Sequence, residues 1–158
     1  MQFLWMSLMA LGIVAADQIT KLLVVAQIPL HGQVPVIEGL VHWTYTQNTG
    51  AAFSSFEGMQ WLFLLVFLAF TAMVIWEFSG KRMPFTNFER WLVAAIYAGG
   101  LGNMIDRIRL GYVVDMIRTE FISFPVFNVA DCFITCGAIA LMVSTVLFNK
   151  ELREDKKK

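Results

Sequence analysis

Four long apolar segments constrain the fold of this chain more than any other feature. They extend over 2–27, 59–77, 88–107 and 129–149. A transmembrane helix needs about 20 mainly apolar residues. The first and third segments qualify only if charged side chains lie within the span or at its end, and such charges usually face a protein interior or a water-filled cavity. The sequence therefore predicts a mainly α membrane protein, built as a four-transmembrane-helix bundle.

The composition agrees with a membrane protein of a single domain. Of the 158 residues, 58% are hydrophobic, against about 45–50% in an average soluble domain. This length has room for one domain, which we expect to extend over 1–158. The net charge is zero, so the chain lacks the basic footprint of a protein that binds nucleic acid.

Lys and Arg set the expected orientation, because cytoplasmic loops carry an excess of them. Lys81 and Arg82 lie in the connection between the second and third segments, Arg90 lies near the start of the third, and the tail after 149 is also basic. The loop over 28–58 has neither Lys nor Arg. We therefore expect both termini to be cytoplasmic and the loops over 28–58 and 108–128 to be extracytoplasmic. We also expect the first segment to be retained rather than cleaved, since no basic residue precedes it.

The first outer loop has the composition of a short antiparallel sheet. Gln33 to Ile37 is rich in Val and Ile, and from Leu40 to Thr46 apolar and polar side chains alternate. This pattern predicts two paired strands. Trp43 and Tyr45 suit a membrane interface. We expect the sheet to rest on the extracytoplasmic membrane surface.

Two aspartates occupy apolar stretches of the sequence, where an ionised side chain is energetically unfavourable. Asp115 closes the run from Val113, and Asp131 closes the run from Phe127. One ionised Asp at the centre of a membrane helix costs about 2.5–3.5 kcal/mol. Two carboxylates within about 3 Å share one proton, so one can act as a base on water while the other donates to a carbonyl oxygen. The pair predicts peptide hydrolysis without a covalent intermediate. Asp131 alone also fits a structural role, as an acid in the first turn of a helix that Asn128 caps.

Asp17 and Lys21 are one helical turn apart, late in the first segment. One interpretation is a self-neutralising helix pair near the outer water. The other is a clamp that projects into a polar pocket near the outer surface. The sequence leaves both open.

Three residues of the third segment, Gly99, Asn103 and Arg107, recur every four positions and so share one helix face. Asn103 and Arg107 could orient a carboxylate. The alternative is a plain ion pair between Asp106, near the same face, and a neighbouring Arg.

Other features carry weaker signals. The run from Asn48 to Ser54 is typical of a turn, and Gly50 permits close backbone approach. Cys132 and Cys136 share a helix face with parallel Cβ directions, so we interpret them as small apolar fillers rather than a disulfide. We assign the second segment no chemistry. The chain has no nucleotide-binding glycine loop and no His/Glu metal pattern, so we expect no cofactor and no metal.

These motifs resemble those of the signal peptidase II family, the bacterial lipoprotein signal peptidases. The resemblance covers nearly the whole chain and rests on five blocks in order. They are Asp17-Gln18-Ile19-Thr20-Lys21, Asn48-Thr49-Gly50-Ala51-Ala52-Phe53, Gly99-Gly100-Leu101-Gly102-Asn103-Met104-Ile105-Asp106-Arg107, Val113-Val114-Asp115 and Phe127-Asn128-Val129-Ala130-Asp131.

The resemblance implies an aspartic endopeptidase with four transmembrane helices in the bacterial cytoplasmic (inner) membrane. It implies that the enzyme removes the signal peptide of a prolipoprotein, cutting on the amino side of a cysteine that carries diacylglycerol. Asp115 and Asp131 match the family's catalytic aspartates. The positions that match its substrate-binding or surrounding residues are Asp17, Lys21, Asn48, Gly50, Gly99, Asn103, Arg107, Asn128 and Ala130.

The resemblance also carries expectations about the outer loops and the partners. The sheet corresponds to a membrane-surface cradle, and the loop over 108–128 to a short extracytoplasmic helical or gating loop. Membrane lipids and globomycin-type cyclic peptide inhibitors are the further partners that the family implies.

Two other functions remain open at this point. A proton-coupled membrane transporter also uses intramembrane carboxylates. It would distribute acids across the bilayer and show internal repeats, whereas Asp17, Asp106, Asp115 and Asp131 all map to the outer half and no repeat is evident. A non-catalytic membrane scaffold would tolerate replacement of both Asp115 and Asp131 by Asn.

Overall fold

The computed structural model describes residues 1–50, 56, 58–80 and 83–149. Its helices are α1 (Gln2–Gln27), α2 (Gln60–Gly80), α3 (Asn87–Leu110) and α4 (Val129–Val143), and a π-helical turn, Ser144–Phe148, continues α4. Lys81, Arg82, the basic tail and the part of the predicted turn over 51–54 lie outside the described residues.

Three helices are long and apolar enough to cross a membrane: Gln2–Gln27, Gln60–Gly80 and Val129–Phe148. Of the side chains on α2, only that of Glu77 is buried, so α2 turns its apolar surface outward. The helix α3 has 24 residues and hence a length of about 36 Å, but it carries charged residues near both ends. The protein is thus mainly helical, with three candidate membrane helices among the described residues.

The sheet has three antiparallel strands in the order β1-β2-β3: Gln33–Ile37, Val41–Asn48 and Val113–Thr119. The predicted pairing of the first two strands is confirmed. We expected a helical or gating loop over 108–128, and this is wrong for the part that forms β3. The reason is that β2 would otherwise expose an unpaired edge, which β3 covers with Asp115 opposite Thr46.

Local signals fix the ends of α3 and the start of α4. Thr86 and Glu89 form a capping box at the first turn of α3, and Gly111, with φ of 80°, ends this helix and lets the chain turn into β3. A second capping box, between Asn128 and Asp131, begins α4. The capping box therefore places Asp131 in the first turn of α4.

The helix α3 packs against α1, α2 and α4, and two of its glycines allow the closest approaches. A Cβ on Gly99 would lie 2.6 Å from the carbonyl oxygen of Ala130, and one on Gly102 would lie 2.6 Å from Oδ2 of Asp17. Because glycine has no side chain at either position, α3 can lie close to both α1 and α4.

At the end of α3 away from the sheet, buried polar side chains join α2, α3 and the end of α4. Arg90 pairs with Glu77 at 3.0 Å. Glu89 accepts hydrogen bonds from Ser144 and Asn149. The sequence did not predict this cluster, and Glu77 lies at the end of the segment to which we assigned no chemistry.

Candidate active site

Asp115 and Asp131 line the same cavity, which has a volume of about 710 Å³. Asp115 reaches it from β3 and Asp131 from the first turn of α4. Elsewhere the walls are largely apolar, with aromatic side chains of α2 that include Phe63, Phe67 and Phe70. The cavity therefore combines one acidic end with an apolar body.

Amide and backbone nitrogens hold both oxygens of Asp131. Asn103 Nδ2 donates to Oδ1 at 2.7 Å, and the backbone N–H of Asn128 donates to Oδ2 at 3.1 Å. The prediction that Asn103 orients a carboxylate describes the first of these contacts. The second belongs to the capping box that starts α4.

Asp115 is 2% exposed and is also held by two amides. Asn128 Nδ2 donates to its Oδ1 at 2.7 Å, and Asn48 Nδ2 donates to its Oδ2 at 2.9 Å. Burial raises the pKa of Asp115 to about 7; the hydrogen bonds from Asn48 and Asn128 oppose this shift, and the charge of Asp131 adds to it. This carboxyl therefore keeps its proton up to a higher pH than an ordinary aspartate does.

Asn128 is the residue common to both acids, and it is fully buried. Its side chain bonds Asp115 while its backbone N–H bonds Asp131. Its Nδ2 also lies 3.0 Å from Oδ1 of Asn103. The two amides thus connect the acids of β3 and α4.

Asp17 and Lys21 lie behind this amide pair, with side chains 0% and 3% exposed. The predicted helix pair therefore forms, but it is buried in the protein and does not face the outer water. Lys21 Nζ lies 2.8 Å from Asp17 Oδ2, 2.9 Å from Asp106 Oδ2 and 3.0 Å from Asn103 Oδ1. Asp17 and Lys21 thus do not line the cavity themselves; Lys21 contacts Asn103, which does.

Asp106 has no ion pair with a neighbouring Arg among the described residues; its partner is Lys21. Its carboxylate also accepts from the side chain of Gln18 at 3.0 Å and from the backbone N–H of Val114 at 3.1 Å. Asp106 thereby ties the strand that carries Asp115 to α1. Both Asp106 and Gln18 are missing from the predicted site, because only the fold brings the late part of α3 against α1.

Arg107 lines the cavity, and its guanidinium lies 4.3 Å from the centre of the Phe63 ring. It donates to the carbonyl oxygen of Gly50 at 2.9 Å and to that of Asn103 at 3.4 Å. Its direct contacts here are thus carbonyl oxygens rather than the acids. Phe63 lies in the segment to which we assigned no chemistry, so that interpretation was too narrow.

The remaining predicted positions support the site through the backbone. The N–H of Gly50 donates to Asn48 Oδ1 at 2.9 Å, which turns the Asn48 amide nitrogen toward Asp115. The N–H of Ala130 donates to Asp17 Oδ1 at 3.0 Å. Gly99 provides the close packing of α3 on Ala130 and does not line the cavity.

Cys132 and Cys136 line the cavity as free thiols. In the part of the chain that the structure describes, no three His, Cys, Asp or Glu side chains form a group that could hold a metal ion.

Comparison with known proteins identifies the family. The model of the family described as signal peptidase (SPase) II matches residues 9–147. A lipoprotein signal peptidase of Streptococcus agalactiae serotype Ia is 44% identical over 135 residues, which cover 84% of this chain and 85% of that protein. A lipoprotein signal peptidase of Lactococcus lactis subsp. lactis is 42% identical over 149 residues, which cover 92% and 95% of the two chains.

Two solved structures, both described as a bacterial membrane enzyme, have the same fold. Each aligns with a TM-score of 0.81 at 29% identity. One alignment covers 90% of this chain and 87% of the other, and the second covers 92% and 94%. The region over 9–147 includes most of α1, the other three helices, the sheet and both aspartates, and on this evidence the chain belongs to the signal peptidase II family.

Proposed function

We propose that Asp115 and Asp131 together activate the water with which this enzyme cleaves its substrate. As a member of the signal peptidase II family, the protein is a bacterial membrane aspartic peptidase that removes signal peptides from prolipoproteins. The observation that carries the proposal is that both carboxylates line one cavity and both bond Asn128.

The proposed reaction needs one proton on the pair. We assign that proton to Asp115, whose pKa is raised by burial to about 7, and the role of base to Asp131. Asp131 takes a proton from a water as its oxygen attacks the carbonyl carbon of the scissile amide, while Asp115 donates its proton to the carbonyl oxygen. The proton on Asp131 then passes to the amide nitrogen, the C–N bond breaks, and the carbonyl oxygen returns its proton to Asp115.

The substrate bond is the one on the amino side of a cysteine that carries diacylglycerol. The cavity supports this assignment because its acidic end continues into an apolar body beside α2. Lipid and apolar signal-peptide residues suit such a surface. Arg107, at the acidic end, already bonds carbonyl oxygens of the chain, and we propose that it also holds a carbonyl of the substrate. Asn48 and Gly50, beside it, form the wall that meets the peptide.

We propose that α3 is the fourth transmembrane helix, in one domain over 1–158. Its length suffices for a bilayer, and its charged ends are paired inside the protein. The sheet follows α1 and α3, so it lies at one end of the bundle, together with the two acids. The basic residues at the other end and in the tail favour cytoplasmic termini, with the site near the extracytoplasmic surface of the inner membrane. Membrane lipids and globomycin-type peptides are proposed as further partners of the same cavity.

The test is a cleavage assay with purified protein in detergent. The substrate is a prolipoprotein with diacylglyceryl-modified cysteine, and the same prolipoprotein without the modification is the control. We expect a single cut before the cysteine in the modified substrate only. Equal cleavage of both substrates would contradict the proposed role of the lipid, and cleavage of neither would contradict the substrate assignment.

A further inference from the structure

The ammonium group of Lys21 is buried and makes three contacts, one for each of its protons. Two are with the carboxylates of Asp17 and Asp106, at 2.8 and 2.9 Å. The third is with the side-chain oxygen of Asn103, at 3.0 Å. Neutralising the charges of Asp17 and Asp106 explains the first two contacts, but it does not explain the third contact, with Asn103.

The third contact fixes the direction of an amide. An ammonium group can only donate, so the Asn103 oxygen must point toward Lys21 and the Asn103 nitrogen away from it. That nitrogen lies 2.7 Å from Oδ1 of Asp131. A reversed amide would place its oxygen against the carboxylate, where no proton would lie between the two oxygens.

The other two amides of the site are oriented in the same way, by groups that only donate. The N–H of Gly50 holds the oxygen of Asn48, and the N–H of Asp131 holds the oxygen of Asn128. Both of these donors are backbone groups within three residues of the amide they hold. The oxygen of Asn103 instead accepts from two side chains of other elements, the Asn128 amide and the Lys21 ammonium of α1, and of these two groups the ammonium is the one that can only donate.

We propose that Lys21 is a positioning residue of the reaction, whose ammonium holds the Asn103 amide so that it donates to Asp131. This role rests on the proposed function of Asp131. Lys21 does not line the cavity, so it acts on the reaction through Asn103 and not on the substrate. Its loss lowers kcat and leaves KM nearly unchanged.

A double-mutant cycle separates this role from a purely structural one. Lys21→Met alone is expected to lower kcat by about 10- to 100-fold, the equivalent of one hydrogen bond to a charged group. In an Asn103→Ala background, the same change is expected to lower kcat by less than about twofold, since the contact it works through is gone. If Lys21→Met costs the same factor in both backgrounds, or raises KM instead of lowering kcat, the proposal is wrong.

Lys21→Met leaves two buried carboxylates without a cation, so it could fail to fold. The cycle is then run with the variant in which Lys21→Met is combined with Asp17→Asn and Asp106→Asn, which leaves no net charge in the cluster. Thermal melting in detergent verifies folding of each variant. The proposed function is tested separately by Asp131→Asn: an active Asp131→Asn variant would refute that function, whereas an inactive one beside an additive cycle refutes only the role of Lys21.

Discussion

The side-chain nitrogen of Asn128 lies 3.0 Å from the side-chain oxygen of Asn103. The same two residues donate to the two acids of the cavity, Asn128 to Asp115 and Asn103 to Asp131. A pair of neutral amides thus spans the distance between a strand and a helix that come from separate parts of the chain. Among the residues that the structure describes, no ion pair is formed by either of these two carboxylates.

Asn128 has two roles that substitution can separate. Asn128→Ser keeps a good helix cap but is too short to reach Asp115, so we expect near-normal thermal stability and a large loss of kcat, about 10²-fold. Asn128→Ala removes the cap as well and should also cost about 1 kcal/mol of stability. Kinetics and melting curves in detergent test both. Normal turnover by Asn128→Ser would show that the amide bridge is not needed.

The raised pKa of Asp115 predicts a pH dependence. With a value of about 7, kcat/KM should fall as pH rises through neutrality, because the proton that we assign to Asp115 is lost. The hydrogen bond from Asn48 lowers this pKa by favouring the charged form. Asn48→Ala should therefore move the alkaline limb upward, by about one pH unit. A shift of the alkaline limb to lower pH in Asn48→Ala would contradict the assignment of the proton to Asp115.

Gly102 packs against the buried ion pair of Asp17 and Lys21, so a larger residue at this position should lower the stability of the protein. A methyl group there would lie 2.6 Å from Oδ2 of Asp17, the oxygen that pairs with Lys21. Gly102→Ala should cost about 1–3 kcal/mol, as overpacking usually does. The matched control is Gly12→Ala, where a Cβ meets nothing within 4 Å and the better helix propensity of Ala should preserve or raise stability. Equal melting temperatures for the two variants would show that α1 can move away from α3.

The polar cluster at the far end of α3 should matter for folding and not for chemistry. Glu77→Ala leaves the Arg90 guanidinium buried without its partner, and breaking such a pair costs about 3–5 kcal/mol. The control is Glu38→Ala, at an exposed position in the turn between β1 and β2. Both variants should keep wild-type kcat per folded molecule. A selective loss of kcat in Glu77→Ala would show coupling between the two ends of the bundle.

Much of this arrangement could be predicted because the signals are local. The capping box of Asn128 and Asp131 occupies four consecutive residues, and the hairpin of β1 and β2 follows from alternation within one loop. The apolar segments are likewise visible as long runs with few charged residues. From these local features the sequence predicts the helical segments, the strands β1 and β2, and the two candidate catalytic acids.

The parts that escaped prediction all depend on contacts between distant residues. The strand β3 has four consecutive buried residues, so it shows no alternation, and its pairing with β2 joins two different loops. One of the two interpretations left open paired Asp106 with a neighbouring Arg, whereas Asp106 pairs with Lys21 of α1. The partner of Arg90 is Glu77, at the end of a segment that is otherwise uncharged. In each case the fold supplies a partner that no nearby residue indicates.

The most direct test of the central claim is cleavage of diacylglyceryl-modified prolipoprotein by Asp115→Asn and Asp131→Asn, with EDTA present throughout. Asn is close to Asp in size, so both variants should fold and melt near the wild type. We expect each to lose at least about 10³-fold in kcat, since general acid–base catalysis by each group contributes about 10²–10⁴-fold, while the wild type and Glu38→Gln stay fully active. Turnover within tenfold of the wild type by either variant, or loss of wild-type activity in EDTA, would contradict a reaction performed by these two acids.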